Sequence, residues 1–287
     1  ALFAYAQFRY HTDYLNGVRT EIWGLNNWMQ VQASINGTSS AGNEYFMSGD
    51  AINNTWSLMY ADVLGNIEEA MRLTKDDPIN VNKYNTYRIY RAYIYHRLTD
   101  LWDNIPYTAA HNTINAENTP DLSPEYDPQS IVYQDLINEL RSAVSGFDQS
   151  RPDVGAQDWI YHGDVDKWIR FANSLTLRLA LRISDKVPTI ALPVIQQLTT
   201  ENRFIQSNQG SARFPHSSNA RNPFYELDNT AQGMYNPSTF LVEQFTTIAT
   251  HGSHVTQNIH RKVLCSVRSN MLAFLASCSQ AISTRTN

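Results

Sequence analysis

Apolar and aromatic residues recur at intervals of three and four along most of this chain, and that spacing fits amphipathic helices and little else. Trp56, Tyr60, Val63, Ile67 and Ala70 are spaced 4, 3, 4 and 3 apart. Tyr87, Tyr90, Ile94, Leu98 and Leu101 form a second stripe, and Val132, Leu136, Leu140, Val144 and Phe147 a third. Trp168, Ala172, Leu175, Leu179 and Ile183 form a fourth, and Phe3, Ala6, Tyr10 and Tyr14 a weaker one near the start. Strand signals are few. The pattern predicts an all-α fold.

The breaks between stripes divide the chain into pairs. Asp76-Asp77-Pro78 stops one helix, and Asp103-Asn104-Ile105-Pro106 stops the next. Trp56 to Asp103 therefore reads as one antiparallel hairpin and Ile131 to Ser184 as a second. Asp127-Pro128 reads as an N-cap with Pro at the first helical position, and Asp164 as the cap of the helix through Trp168. Ala191 to Leu198 reads as a shorter helix. Polar, Gly- and Asn-rich stretches over 26–54 and 202–236, and the proline-rich 112–128, read as loops. Helix pairs of this size stack as in tetratricopeptide-like solenoids, although the strict repeat signature is absent.

Composition narrows the function. Charged residues make up 17% of the 287 and the formal net charge is -5, so a basic nucleic-acid-binding surface is not expected. No stretch approaches the roughly 18 apolar residues of a membrane span. The chain opens on an amphipathic pattern with no secretory signal. Aromatic residues reach 11%, with Tyr (16) ahead of Phe (11) and Trp (6). Few charges beside many amides and phenols suit a neutral polar ligand such as a sugar, and suit equally a tyrosine-rich helical core.

No catalytic constellation stands out. There is no Gly-rich phosphate loop and no Gly-x-Ser-x-Gly. His11, His96, His111, His162 and His216 are scattered. Asp100 and Asp103 beside Trp102 could suggest a glycosidase pair, but a helix end turning into Pro106 accounts for them. The expectation is a binding protein without metal or cofactor. The candidate ligand surface is the 26–54 loop, which holds Trp28, Gln30, Gln32, Asn43, Tyr45 and Phe46. Trp28, Gln30, Asn43, Tyr45 and Phe46 are its best candidates. Aromatic faces stack on sugar rings, and amides both donate to and accept from hydroxyls. Trp28 and Tyr45 could instead pin the loop to the core.

Several stretches resemble the SusD/RagB family of Bacteroidota nutrient-binding outer-membrane lipoproteins. One is Tyr87 through Tyr107, which follows the family form R-A-x-x-Y-x-x-L-x-D-x-[WYF] into a [DN]-[IV]-P-Y turn. A second, Gly163 through Ile183, is similar to D-x-x-K-W-x-[KR]-[FL]-A-N-S-L-x-L-R-[LM]-A-x-R-[IL]. A third is Tyr126 through Leu136. The resemblance covers roughly 1–247. It implies tetratricopeptide-like helix pairs with irregular loops carrying the ligand site. It also implies a lipid-anchored partner of a SusC-like TonB-dependent receptor at the cell outer membrane, capturing oligosaccharides or peptides. The lipoprotein signal and its acylated Cys are absent from this chain, and family members are longer, so the chain looks like a fragment. The family's ligand residues follow no fixed motif, so the candidates above rest on chemistry alone. Asn173, mid-helix, is expected to tie its helix to a loop. A helical-repeat scaffold that binds only protein is the alternative reading. An all-α glycoside hydrolase using Asp100 and Asp103 is a more distant one.

Residues 248–287 read differently. Both cysteines, Cys265 and Cys278, lie there, all 27 acidic residues lie before it, and it has no Pro, Trp or Tyr. His251 and His254 have a metal-like spacing, but no carboxylate or third ligand stands near. Ile248 to Thr256, back-translated and read from the third base of the Ile codon, permits Arg-Asp-Pro-Arg-Leu-Pro-Arg-Tyr. That matches a D-P-R-[LIV]-x-x-[YF] segment which the resemblance implies here. The expected organisation is a helical-repeat domain over 1–247 and a frame-shifted tail over 248–287. Sequencing the coding DNA across codon 247 is expected to reveal a shifted frame that continues as protein. A frame broken at once by stop codons would remove the idea.

Overall fold

The computed structural model describes residues 1–13, 24–34, 45–46, 49–111, 123–223, 225 and 235–251. In chain order these form α1 (Leu2–Thr12), α2 (Asn26–Trp28), β1 (Gln32–Ser34) and α3 (Gly49–Ser57). A π-helical turn over Leu58–Leu64 leads into α4 (Gly65–Arg72), α5 (Val81–Trp102), α6 (Gln129–Ser145), α7 (Val165–Ile183) and α8 (Pro188–Glu201). The last described elements are β2 (Tyr235–Pro237) and α9 (Thr239–His251). The expected tail lies outside the described residues from 252 on. Contacts divide the chain into two compact units, one of Ala1–Gln7 with Met59–Phe214 and one of Phe8–Leu58 with Pro215–Asn287.

The first unit is the helical-hairpin body. α4 packs on α5, α5 on α6, α6 on α7 and α7 on α8. Side-chain bonds fix the directions. Arg88, early in α5, meets Glu139, late in α6, whereas Asp100, late in α5, meets Tyr133, early in α6. The two helices are therefore antiparallel. Arg182, at the end of α7, also reaches Asp100 at 3.0 Å, so α7 runs with α5. The predicted stripes face inward. Tyr87, Tyr90, Ile94 and Leu98 of α5, Val132, Leu136 and Leu140 of α6, and Trp168, Ala172, Leu175 and Leu179 of α7 are all buried.

Phe3 brings α1 into this core, with its ring 4.8 Å from Tyr87 and 5.4 Å from Tyr90. Trp168 sits at the centre, edge-on to Tyr161 at 5.2 Å and to Phe171 at 5.6 Å, an arrangement that matches ring quadrupoles. Beneath Trp168 lies the Asp158 carboxylate, with no exposure to solvent. It accepts from Trp168 Nε1 (2.7 Å), Gln7 Nε2 (2.9 Å) and the backbone N–H groups of Ile160, Tyr161 and Gly163 (3.0, 3.3 and 3.0 Å). Gln7 Oε1 in return accepts from the Trp159 N–H at 2.8 Å. Gly163 has φ +83°, and a Cβ there would come within 2.6 Å of the Gly155 nitrogen, so the close turn requires glycine.

A second network ties three helices. Glu139 of α6 is held by Arg88 and Arg91 of α5, each at 2.8 Å, and Arg91 also reaches Glu68 of α4 at 3.1 Å. Burial works against ionisation of Glu139, but the two arginines outweigh it and keep the carboxyl below its ordinary value.

The structure differs from the sequence reading at several points. The 26–54 stretch is not all loop: it holds α2, β1 and the start of α3. Residues of α3 such as Asn53 and Asn54 have weak helix propensity, but burial of Ala51 and Thr55 overrides it. β1 pairs antiparallel with β2, Gln32 opposite Pro237 and Ser34 opposite Tyr235. Asp127 does not cap α6, whose N-cap is Pro128 without a side-chain bond. The Asp127 carboxylate instead accepts from the N–H groups of Tyr107 and Thr108 at 3.1 and 2.7 Å, closing the turn after α5. Asp164 caps α7 as expected, accepting from Lys167 N at 3.0 Å. Asn173 ties α7 to a loop, donating to the Arg203 carbonyl at 2.8 Å.

Two outcomes are expected. Asp158→Asn turns a pure acceptor into a group that faces its neighbours' donors with donors of its own. It should cost about 3 kcal/mol in chemical denaturation. For Glu139 the folded value lies below the unfolded one, so its contribution is present above the ordinary value of 4.5 and lost as pH falls through the folded value. Glu139→Gln should therefore flatten the acid limb of the stability–pH curve between 4.5 and the lower folded value. An unchanged limb would exclude the network as its source.

Candidate functional site

In the second unit, α2 and β1 form a short turn-and-strand held by a distant segment. The turn closes through Met29 N donating to Leu25 O (2.8 Å), Gln30 N to Asn27 O (3.0 Å) and Val31 N to Asn26 O (3.0 Å). Gln30 then adopts φ +55°. Ser238, next to β2, grips this turn. Its hydroxyl donates to the Gln30 carbonyl, its N–H donates to the Val31 carbonyl, and its Oγ accepts from Leu241 N at the start of α9. One serine thereby satisfies the first turn of α9 and fixes the backbone of Gln30.

The candidate residues fall into three groups. Gln30 and Tyr45 are brought together: Gln30 Nε2 donates to Tyr45 Oη at 3.4 Å, a long bond that leaves both groups free to take a ligand hydroxyl. Tyr45, with φ +60°, and Phe46 present open rings, 62% and 60% exposed. Positive φ at two residues with side chains is a local cost that the surrounding contacts must hold in place. Trp28 is half-buried, and its indole N–H is buried with no acceptor among the described residues. Asn43 lies outside the described residues. Gln32 is buried in β1 and leaves the set.

Sequence reasoning missed two members. Met29 is 70% exposed and adds apolar surface beside Gln30. Its position directly after Trp28 was a usable signal. Ser238 had none, because it lies 208 residues from the carbonyl it holds. The result is exposed chemistry of two aromatic rings, a thioether and an amide, in which Gln30 and Tyr45 touch and Met29 and Phe46 are their neighbours in sequence. Such a surface can stack on the apolar faces of a neutral ligand and hydrogen-bond its rim.

The carboxylates considered as a catalytic pair sit elsewhere. Asp100 accepts from Tyr133 Oη at 2.5 Å and lies 3.0 Å from both His96 Nε2 and Arg182 Nη1. Burial raises its affinity for a proton, but these three contacts prevail and hold it below the ordinary carboxylate value. A glycosidase acid needs the opposite shift. Asp103 is exposed, with φ +64° at the end of α5. Among the described residues no cluster of three His, Cys, Asp or Glu side chains could hold a metal ion, and no helix is long and apolar enough to cross a membrane.

Residues 3–249 match the sequence model of the SusD-like family, described as starch-binding and associating with the outer membrane. No curated protein matches the chain. Among solved structures, a chitin-binding protein superposes with a TM-score of 0.77 at 22% identity, over 86% of this chain and 52% of its own. A SusD-like protein of Bacteroidetes superposes at 0.74 with 25% identity, over 86% and 48%. A chitin-binding SusD homologue from Flavobacterium johnsoniae superposes at 0.69 with 22% identity, over 82% and 48%. The chain thus spans about half the length of these structures.

Proposed function

The chain belongs to the SusD-like family, and on that premise we propose that it captures a neutral glycan at the outer membrane for a nutrient-uptake system. The observation that carries this reading is the exposed Tyr45 ring in contact with the Gln30 amide, with exposed Phe46 and Met29 next to them in sequence. Sugar rings offer apolar faces to aromatic planes and hydroxyl rims to amides, and the surface supplies both. Two structural neighbours are described as chitin-binding, which makes chito-oligosaccharides the first ligands to try. The partner proposed is a SusC-like TonB-dependent receptor, with a lipid anchor on the full-length protein. Capture without turnover is the proposed role, in keeping with the lowered proton affinity of Asp100.

Calorimetric titration with chito-oligosaccharides tests the reading. Tyr45→Ala and Phe46→Ala are each expected to weaken binding at least tenfold, about 1.4 kcal/mol, with helical circular dichroism unchanged. Trp28→Ala should alter the fluorescence response more than the affinity. Binding of peptides in place of glycans, with the same sensitivity to Tyr45→Ala, would keep the surface and change the ligand class. Silence toward both would favour a scaffold that binds protein only.

A further inference from the structure

Gln30 stands at a position that glycine fills best. It follows the C-cap of α2, Met29. Gln30 N donates to Asn27 O and Val31 N donates to Asn26 O, each at 3.0 Å. These two bonds are the Schellman ending of a helix, in which the residue after the C-cap takes the left-handed conformation. Gln30 takes it, at φ +55°. Glycine does so at no steric cost, whereas a Cβ crowds the backbone there. What glutamine adds at this position is its amide. Nε2 reaches Tyr45 Oη at 3.4 Å.

The Schellman bonds engage only the N–H groups of Gln30 and Val31. Their carbonyls need donors of their own, and Ser238 supplies both. Its hydroxyl donates to the Gln30 carbonyl, and its N–H donates to the Val31 carbonyl at 3.3 Å. The strand register delivers it there, because Gln32 pairs with Pro237 and Ser238 is the next residue. Ser238 is buried. Its Oγ also accepts from Leu241 N at 3.1 Å. A hydroxyl has one hydrogen to give and lone pairs to receive. Here the hydrogen goes to Gln30 and a lone pair to α9, so the tether and the helix cap are separate uses of one atom.

We propose, on the reading of this surface as a ligand site, that Ser238 is its positioning residue: by holding the Gln30 carbonyl it keeps the left-handed turn that presents the Gln30 amide to Tyr45. Ser238 touches no ligand itself. It acts through Gln30, which bears a backbone cost for the sake of the amide it presents. The turn of α2 sets the N–H side of that backbone, and a residue 208 positions away sets the carbonyl side.

The test follows binding of triacetylchitotriose to the full 287-residue chain by NMR titration. Ser238→Ala removes both uses of the hydroxyl. Ser238→Asp keeps an acceptor for Leu241 N but has no hydrogen for Gln30, so it separates the tether from the cap. Both variants are expected to weaken binding at least tenfold, with helical circular dichroism unchanged in Ser238→Asp. Gln30→Gly is expected to hold or raise the thermal midpoint, since glycine relieves the turn, and still to weaken binding. On the Gln30→Gly background, Ser238→Ala should then change affinity less than twofold, because the serine acts through the glutamine. Native affinity in Ser238→Asp overturns the proposal, and so does a tenfold loss from Ser238→Ala that persists on Gln30→Gly. A second readout needs no ligand. The Gln30 side-chain amide resonance, assigned by its loss in Gln30→Gly, is expected to move on Tyr45→Phe in the native chain and to stay in place on Tyr45→Phe in the Ser238→Asp chain, or in Ser238→Ala should the aspartate variant not fold. If the trisaccharide does not bind the native chain, the glycan reading fails and this readout decides the positioning role. Equal movement with and without Ser238, or no movement in the native chain, overturns it.

Discussion

The Asp158 carboxylate is the point on which the helical body turns. It has no solvent beside it and, among the described residues, no paired cation, yet it is surrounded by donors from three places in the chain: Gln7, the Ile160–Gly163 turn and Trp168. A buried anion is tolerable only when its acceptor sites are filled, so each donor is held where the carboxylate needs it. The N-terminal segment is thereby fastened to the loop before α7, and Trp168 is oriented by its indole N–H before its ring packs against Tyr161, Phe171 and Tyr90. Aromatic packing fills the core, and the carboxylate decides which way the central ring points.

The helix pairs depend on polar contacts of a second kind. Apolar stripes bring α5 and α6 together, but stripes of similar residues tolerate sliding along the axis. Charged pairs at both ends do not. Glu139 with Arg88 and Arg91 marks one end of the α5–α6 contact, and Tyr133 with Asp100 marks the other. Asn82 adds a third mark, donating to the carbonyls of Asp148 and Arg151 just beyond α6. These groups set the register and direction of a hairpin whose sequence lacks the strict repeat signature. They cost little net stability when complete and much when one member is removed.

The helical body was legible because its information is local. Periodicity at Trp168, Ala172, Leu175 and Leu179 needs no knowledge of partners, and neither does the Asp164 cap. Asn173 could be marked as a tether because an amide in mid-helix requires a bond, although the Arg203 carbonyl that supplies it could not be named. Asp127 was misplaced for the opposite reason. A cap and a turn closure use the same residue type, and the choice depends on whether Tyr107 and Thr108 come near. The proposed ligand surface was half legible. Tyr45, Phe46 and Gln30 have the right chemistry in the sequence, but exposure separates them from Trp28 and Gln32. Exposure is set by β1 pairing with β2 and by Ser238, contacts that no local pattern encodes.

The pairing of Gln32–Ser34 with Tyr235–Pro237 has a consequence for how the protein is made. In sequence, all of the helical body except Ala1–Gln7 lies between the two halves of the other unit. During synthesis from the N-terminus, β1 emerges long before its partner, and about 200 residues must follow before Ser238 can grip Gln30. Closing so long a loop is slow but adds only modestly to the entropic cost, because that cost grows with the logarithm of length. The intervening helices shorten the wait by collapsing on local contacts of their own. Gln30 and its neighbours thus take their final geometry only after Ser238 has been made.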